Sequence, residues 1–378
     1  MEFKGHKVLG DLEIDFTDEK TGEPLEIIAF IGDNGTGKTQ VLETIVTLTE
    51  VEFSVPTFAG TYMEASNEVA TLTIGNTKLV DNFVKKLEEA GNLTYKLVWL
   101  PADLNVNIQS SDKNQINSSD WVEHAKDWHL NDINDYIVKK MNRVARRTLF
   151  EGLSPDTYKN EIEEINEVFS NMDLNIKFID LSDEDDPIPI FQNKRGDKFD
   201  IANLSSGEKQ LFFRMLNLKR LNINNAIIVV DEPETSLHPE WQRKIIEMYK
   251  KIGENNQIII ATHSPLIVGS VPTESIRIMS RNDEGEIEVH QQDVYEKSHG
   301  KTADYILKVT MDLDTPRDVK TQENINRADE LLQNNQYEIE EYKMLMQNLI
   351  EQLGPDDQDV LRLQMAQAVR MRKNAESK

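Results

Sequence analysis

The sequence predicts an α/β fold, a parallel sheet covered by helices on both faces. Three observations carry that prediction. The apolar runs Ile27–Ile31, Ala226–Val230 and Gln257–Ala261 have the make-up of strands buried on both sides. Segments with helical spacing separate the later runs, as a parallel sheet with crossover helices requires. Directly after the first run, Gly32-Asp33-Asn34-Gly35-Thr36-Gly37-Lys38-Thr39 fits the phosphate-cradling pattern G-x-x-x-x-G-K-[ST].

In chain order, Lys7 to Phe16 alternates around Leu12, Ile14 and Phe16, and Thr17 to Gly22 reads as a turn. A hairpin is therefore expected to lead into the Ile27–Ile31 strand. Beyond the glycine loop, Gln40 to Leu48 continues as a helix. Strand, loop and helix N-terminus gather backbone N–H groups and a positive dipole end at one point, where a polyphosphate binds. Asn34, Gly35, Thr36, Gly37 and Gln40 line this cradle, Lys38 reaches the β- and γ-phosphates, and the Thr39 hydroxyl holds Mg2+.

Val69 to Ile74 alternates again, Leu79 to Ala90 has helical spacing, and Lys96 to Leu100 is a strand stopped by Pro101. Residues 110–173 are polar and helical in pattern. Ser118-Ser119-Asp120 marks a helix start, the helix runs near Trp121 to Phe150 with a break around Leu130-Asn131, and another follows from Ser154-Pro155 to near Met172. Asn175 to Leu181 is a strand, and Asp183 to Asp186 a solvated acidic loop. From Ser205 a helix runs to Leu221. His238 to Gly253 forms the next, with Pro239 suited to its first turn, and Ser275–Met279 with Ile287–His290 forms a closing pair. The expected organisation is a core half at 1–109, a helical insertion at 110–173, the second core half at 174–310 and a helical tail at 311–378. In the tail, Ile339, Tyr342, Leu345, Met346, Leu349, Ile350 and Leu353 make a helical stripe. It fits either packing on the same chain or a face for a partner or a second copy.

Further chemistry lies beyond the glycine loop. The strand Ile227–Val230 runs into Asp231-Glu232, which places Asp231 in a Mg2+ shell and Glu232 to polarise water as general base. Ser205, Ser206, Gly207 and Glu208 begin a helix, an arrangement that serves either as an anion site or as a simple N-cap. His263, just past the Gln257–Ala261 strand, lies on the ligand edge of such a sheet, where it can hydrogen-bond a γ-phosphate.

Composition sets bounds. The 378 residues suffice for one large or two ordinary domains, and 42 basic against 67 acidic side chains give a net charge of −25. That charge disfavours non-specific attraction to DNA or anionic membranes. There is no cysteine, so no disulfide or thiol nucleophile. No apolar run reaches the roughly 20 residues of a membrane span, and Met1-Glu2-Phe3-Lys4 opens no signal sequence, so a cytoplasmic location is expected. One basic cluster stands out, Lys139, Lys140, Arg143, Arg146 and Arg147, consistent with a solvated face or with a DNA or acidic-partner contact.

The order of the glycine loop, Leu204-Ser205-Ser206-Gly207-Glu208, Ile227–Glu232, Pro233-Glu234-Thr235-Ser236-Leu237-His238-Pro239 and Thr262-His263-Ser264 resembles ABC-type ATPases of the RecF, SMC and OLD group, across about Met1 to Met279. The resemblance implies an ABC-type head that binds ATP and Mg2+. Two heads would sandwich two ATP molecules, with Ser205 and Gly207 touching the partner's γ-phosphate. Ser236-Leu237-His238 would be the D-loop at the seam, and His263 the switch histidine. The Q-loop glutamine stays open, with Gln109 and Gln115 as candidates. Length excludes a long-armed SMC protein. Asp312-Leu313-Asp314 mimics the Toprim nuclease motif of OLD enzymes, but no strand–helix series follows it. Ser298-His299-Gly300-Lys301-Thr302 and the helical tail look most like PtuA-type ATPases of bacterial anti-phage systems. This implies a homodimer or higher oligomer that regulates a separately encoded nuclease. The alternatives are a RecF-like, ATP-gated DNA-binding protein of repair or chromosome maintenance and, more remotely, a transporter ATPase.

Overall fold

The structure is a computed structural model and describes residues 1–18, 20–52, 58–59, 62–66, 70–74, 97–102, 104, 122–154, 156–169, 172, 174–292, 297–311, 313 and 317–376. The expected helix at Leu79–Ala90, both Q-loop candidates and the two aspartates of Asp312-Leu313-Asp314 lie outside these residues. The described chain divides into two compact units, Met1–Met311 and Asp312–Lys378.

The first unit opens with antiparallel strands β1 (Glu2–His6) and β2 (Gly10–Glu13). This hairpin precedes the expected one, whose turn over Thr17–Gly22 is also present: Gly22 donates to the Asp18 carbonyl at 2.8 Å and Leu25 to the Phe16 carbonyl at 3.0 Å. Lys7 to Leu9 are the β1–β2 turn, where the His6 ring nitrogen accepts the N–H groups of Val8 and Leu9. Strand β3 (Ile27–Gly32) leads through the glycine loop to α1 (Lys38–Glu52). Strands β4 (Phe58–Ala59), β5 (Tyr62–Ser66) and β6 (Ala70–Ile74) join β1 and β2 in a five-stranded sheet. Then come β7 (Leu97–Leu100) and β8 (Val122–His124).

Strand β8 lies in the stretch read as the start of a helix. Val122 and Ala125 are buried, and Val122 pairs in parallel with Leu97 at the sheet edge. The helix begins later, as α2 (Leu130–Glu151), because the Asp132 carboxylate accepts the His129 N–H in a capping box. Leu130, Ile133, Ile137 and Met141 recur at helical spacing on α2 and pack into the main core. The described residues of the middle of the chain thus belong to the first unit. Helix α3 (Asp156–Glu167) follows, and β9 (Ile176–Leu181), β10 (Pro189–Asn193) and β11 (Lys198–Phe199) form a small antiparallel sheet.

The rest alternates: α4 (Ser206–Leu221), β12 (Ile227–Asp231), α5 (Pro239–Gln242), α6 (Ile245–Lys250), β13 (Gln257–Ala261), α7 (Pro265–Val268), β14 (Ile276–Arg281) and β15 (Ile287–Gln291). The helix expected over His238–Gly253 is two short pieces, α5 and α6. The main sheet has the order β15-β14-β3-β13-β12-β7-β8, parallel throughout except for β15. Alternate residues of its strands enter two cores. Ile28, Phe30, Val229 and Ile259 pack with Val41, Leu42 and Ile45 of α1. Ile27, Ala29, Val230 and Ile260 pack with Leu211, Phe212 and Met215 of α4. Burial on both faces is why these runs are uniformly apolar.

The second unit contains α8 (Val319–Gln333), α9 (Glu340–Leu353) and α10 (Gln358–Glu376). Asp318 caps α8 by accepting the Thr321 N–H, and Gly354 ends α9. Tyr342, Met346 and Leu349 of the α9 stripe are buried against Ile325, Leu331, Val360 and Leu363. The stripe is thus the core of this unit. Among the described residues no helix is long and apolar enough to cross a membrane.

Candidate functional site

The C-terminal ends of β3, β12 and β13 converge, and each delivers a predicted site residue. From β3 the chain enters the glycine loop. Gly32 has φ +142°, and a Cβ there would lie 2.0 Å from the Met279 carbonyl oxygen on β14, so only glycine fits. Gly35 and Gly37 are also left-handed, which curls the loop. Thr36 is buried, its hydroxyl donating to the Asp33 carbonyl at 2.8 Å. Lys38 is buried too. Its ammonium donates to the carbonyls of Gly32 and Asp33, both at 2.8 Å, and so lies folded over its own loop. Burial lowers its pKa, although Asp231, Asp33, Glu232 and Glu234 pull the other way. Asn34 is exposed, and Gln40 donates to Glu43 at 2.7 Å.

The decisive contact crosses 192 positions of sequence: the Thr39 hydroxyl donates to an Asp231 carboxylate oxygen at 2.9 Å. Burial raises the Asp231 pKa to about 6; the Thr39 bond opposes this, and Glu232, Glu234 and Glu43 add to it by repulsion. A carboxylate held this way against its own ionisation is relieved by a cation. The Thr39 hydroxyl and Asp231 carboxylate are hard oxygen ligands suited to Mg2+, which otherwise keeps water and phosphate oxygens. Among the described residues no group of three His, Cys, Asp or Glu forms a fuller metal cage.

Glu232 follows Asp231 with φ +45°, unusual for a non-glycine residue, and Ser236 has φ +64°. The turn between them is held by Arg214 of α4, which is fully buried and donates to the Pro233 carbonyl at 3.1 Å. From β13, Thr262 and His263 meet Glu234. The Thr262 hydroxyl lies 2.8 Å from both Glu234 carboxylate oxygens, and the His263 N–H donates to one of them at 2.7 Å. Burial lowers the His263 pKa, Lys38 lowers it further, and Glu232, Glu234 and Asp33 oppose both, so the imidazole is neutral at pH 7. Lys38, Asp231, Glu232, Glu234 and His263 thus form one mutually interacting group.

Ser205 to Glu208 lie apart from it. Ser205 is the N-cap of α4; its hydroxyl accepts the Glu208 N–H, and the Glu208 carboxylate accepts the Ser205 N–H at 3.0 Å. Ser205 and Ser206 are exposed, while Gly207 is buried. A Cβ on Gly207 would sit 2.6 Å from the Ser236 carbonyl oxygen, so this helix start abuts the Glu232–Ser236 turn. Among the described residues no hydrogen bond joins Ser205–Glu208 to the chain's own glycine loop.

Sequence reading gave no role to three residues here. Glu234 stood inside a quoted motif, and Arg214 looked like any helical arginine. Arg281, which donates to the Gly35 carbonyl at 2.7 Å from the end of β14, had no local signal. The basic cluster on α2 is largely paired within the chain: Lys140 with Glu161 and Glu164, Lys139 with Asp135 at 3.6 Å and Arg147 with Glu151 at 2.9 Å.

Residues 97–269 match the family described as "AAA domain, putative AbiEii toxin, Type IV TA system", a span holding Ser205–Glu208, Asp231, Glu232 and His263. The "Retron Ec83 probable ATPase" of Escherichia coli is 21% identical over 345 residues, covering 82% of this chain and 62% of the relative. The "Retron Vc95 probable ATPase" of Vibrio cholerae serotype O1 biovar El Tor is 36% identical over 101 residues, 24% of this chain and 20% of the relative. The "Septu protein PtuA" of Bacillus thuringiensis is 30% identical over 112 residues, 29% of this chain and 28% of the relative. The matched part of the chain therefore spans between 20% and 62% of these relatives' length.

Proposed function

We propose that the chain, whose residues 97–269 match this AAA family, binds MgATP and hydrolyses it to ADP and phosphate. The observation that carries the reading is the 2.9 Å contact between Thr39 and Asp231. It joins the glycine loop to the Asp-Glu strand, and Thr39 and Asp231 are the residues that would hold Mg2+. The loop would cradle the β- and γ-phosphates with Asn34 to Gln40, and Lys38 would leave the Gly32 and Asp33 carbonyls to meet them. Mg2+ would supply charge neutralisation at those phosphates. Glu232 would take the proton of the attacking water, and the neutral His263 imidazole would hydrogen-bond the γ-phosphate.

We further propose that two heads close on ATP. Ser205 and Ser206 stand exposed at a helix start, with Gly207 buried beside them, and among the described residues no hydrogen bond joins this start to its own glycine loop, as expected of groups that complete a partner's site. The retron and Septu relatives support a role in anti-phage defence. In that role the nucleotide cycle would control a nuclease encoded elsewhere. The test is the mass of Glu232→Gln protein with and without ATP. ATP should drive its self-association, and adding Ser205→Arg should abolish that association. Association indifferent to Ser205→Arg would mean that the heads meet through another surface.

A further inference from the structure

We propose that Glu234 is a positioning residue that holds His263 within reach of the γ-phosphate. The proposal deepens the reading of His263 given above and rests on it. Both residues at the exit of β13 hang on this one carboxylate: Thr262 by its hydroxyl, 2.8 Å from each oxygen, and His263 by its N–H at 2.7 Å. Thr262 is fully buried, so its hydroxyl has no water to turn to. Ser264 is anchored separately, donating to Gln242 at 2.7 Å. The backbone on either side of His263 is therefore fixed, which limits where its ring can reach.

A carboxylate is a costly choice at this place. Glu234 adds negative charge beside Asp231 and Glu232, and it is among the groups that push the Asp231 pKa up. A neutral side chain would avoid that repulsion, whereas a carboxylate alone offers two acceptor oxygens without a competing donor. The short segment that carries it is also held on its other side. Arg214 donates to the Pro233 carbonyl, and Gly207 leaves room only for hydrogen against the Ser236 carbonyl. Glu234 thus sits between the start of α4, which abuts its turn at Gly207, and the residue that would read the γ-phosphate.

A double-mutant cycle on the full chain tests this, with MgATP affinity and turnover measured on each protein. His263→Ala and Glu234→Ala should each lower kcat about tenfold to a hundredfold, with affinity changed by less than about threefold. Glu234→Gln keeps one acceptor oxygen and should lose less than Glu234→Ala. In the His263→Ala background, Glu234→Ala should cost nothing further. If the two losses multiply, or if Glu234→Ala abolishes binding together with turnover while Glu234→Gln does the same, Glu234 does not act through His263. If His263→Ala leaves kcat untouched, the role of His263 fails first and that of Glu234 with it.

Discussion

Gly32 ties the glycine loop to the packing of β14. Its φ of +142° and the 2.0 Å approach of the Met279 oxygen leave no space for a methyl group. Gly32→Ala should therefore destabilise the protein by about 1–3 kcal/mol and weaken MgATP binding together with it. Thermal unfolding and nucleotide titration of the variant check this; unchanged values in both would mean that the loop can move away from β14. At this scale, what the sequence makes legible is what is contiguous. Asn34 to Gln40 are neighbours in the chain, and a glycine loop between a buried strand and a helix has one chemical use. Asp231 and Glu232 were legible for the same reason, as the end of an apolar strand. Glu234 was not, because its meaning lies in bonds to Thr262 and His263, 28 and 29 positions away. Arg281 reaches Gly35 across 246 positions, and no local pattern announces such a contact.

The elements differ in how well their ends can be read. Strands β3, β12 and β13 were plain because both faces are buried and every residue is apolar. Strand β8 was hidden because three residues at a sheet edge carry no periodicity. The α9 stripe was visible, but spacing alone does not say what covers it; in the structure α8 and α10 do. Leu349 is fully buried, so Leu349→Asp should cost the unit about 3 kcal/mol or more and unfold it, rather than remove a partner selectively. Met344 and Met365 are 57% and 65% exposed, and their replacement by Asp should leave the helical signal intact while testing any docking role of this unit. Circular dichroism of these variants separates the two cases. The loop before α10 also sets an acid limit. Burial disfavours Asp357 ionisation, but the Arg317 guanidinium, at 2.8 Å, and the N–H groups of Asp359 and Val360 outweigh it and hold the carboxyl below its usual value. A carboxylate lowered in the fold stabilises fully above the unfolded pKa of about 3.9 and ceases to do so as pH falls through the folded value. Arg317→Ala should thus cost about 1–2 kcal/mol at pH 7, a difference that closes as pH falls through the lowered folded value. Thermal melts across pH measure that gap; a gap independent of pH would assign the effect of Arg317 to packing.

Across the whole molecule, a net charge of −25 and the pairing of Lys139, Lys140 and Arg147 with acidic side chains predict weak DNA binding by the chain alone. With Mg2+ or Mn2+ alone, the purified chain should leave DNA intact. Lys38, Asp231, Glu232, Glu234 and His263 are the set of titratable groups to which the proposed function assigns a nucleotide. In the proposed function this set binds and splits ATP, with separable roles for its members. The most direct test measures MgATP binding and turnover side by side for the wild type, Lys38→Ala and Glu232→Gln. The wild type should do both, Lys38→Ala should lose binding, and Glu232→Gln should bind as the wild type does while turnover falls about a hundredfold or more. Wild-type turnover in Glu232→Gln, or undiminished binding in Lys38→Ala, would contradict the account.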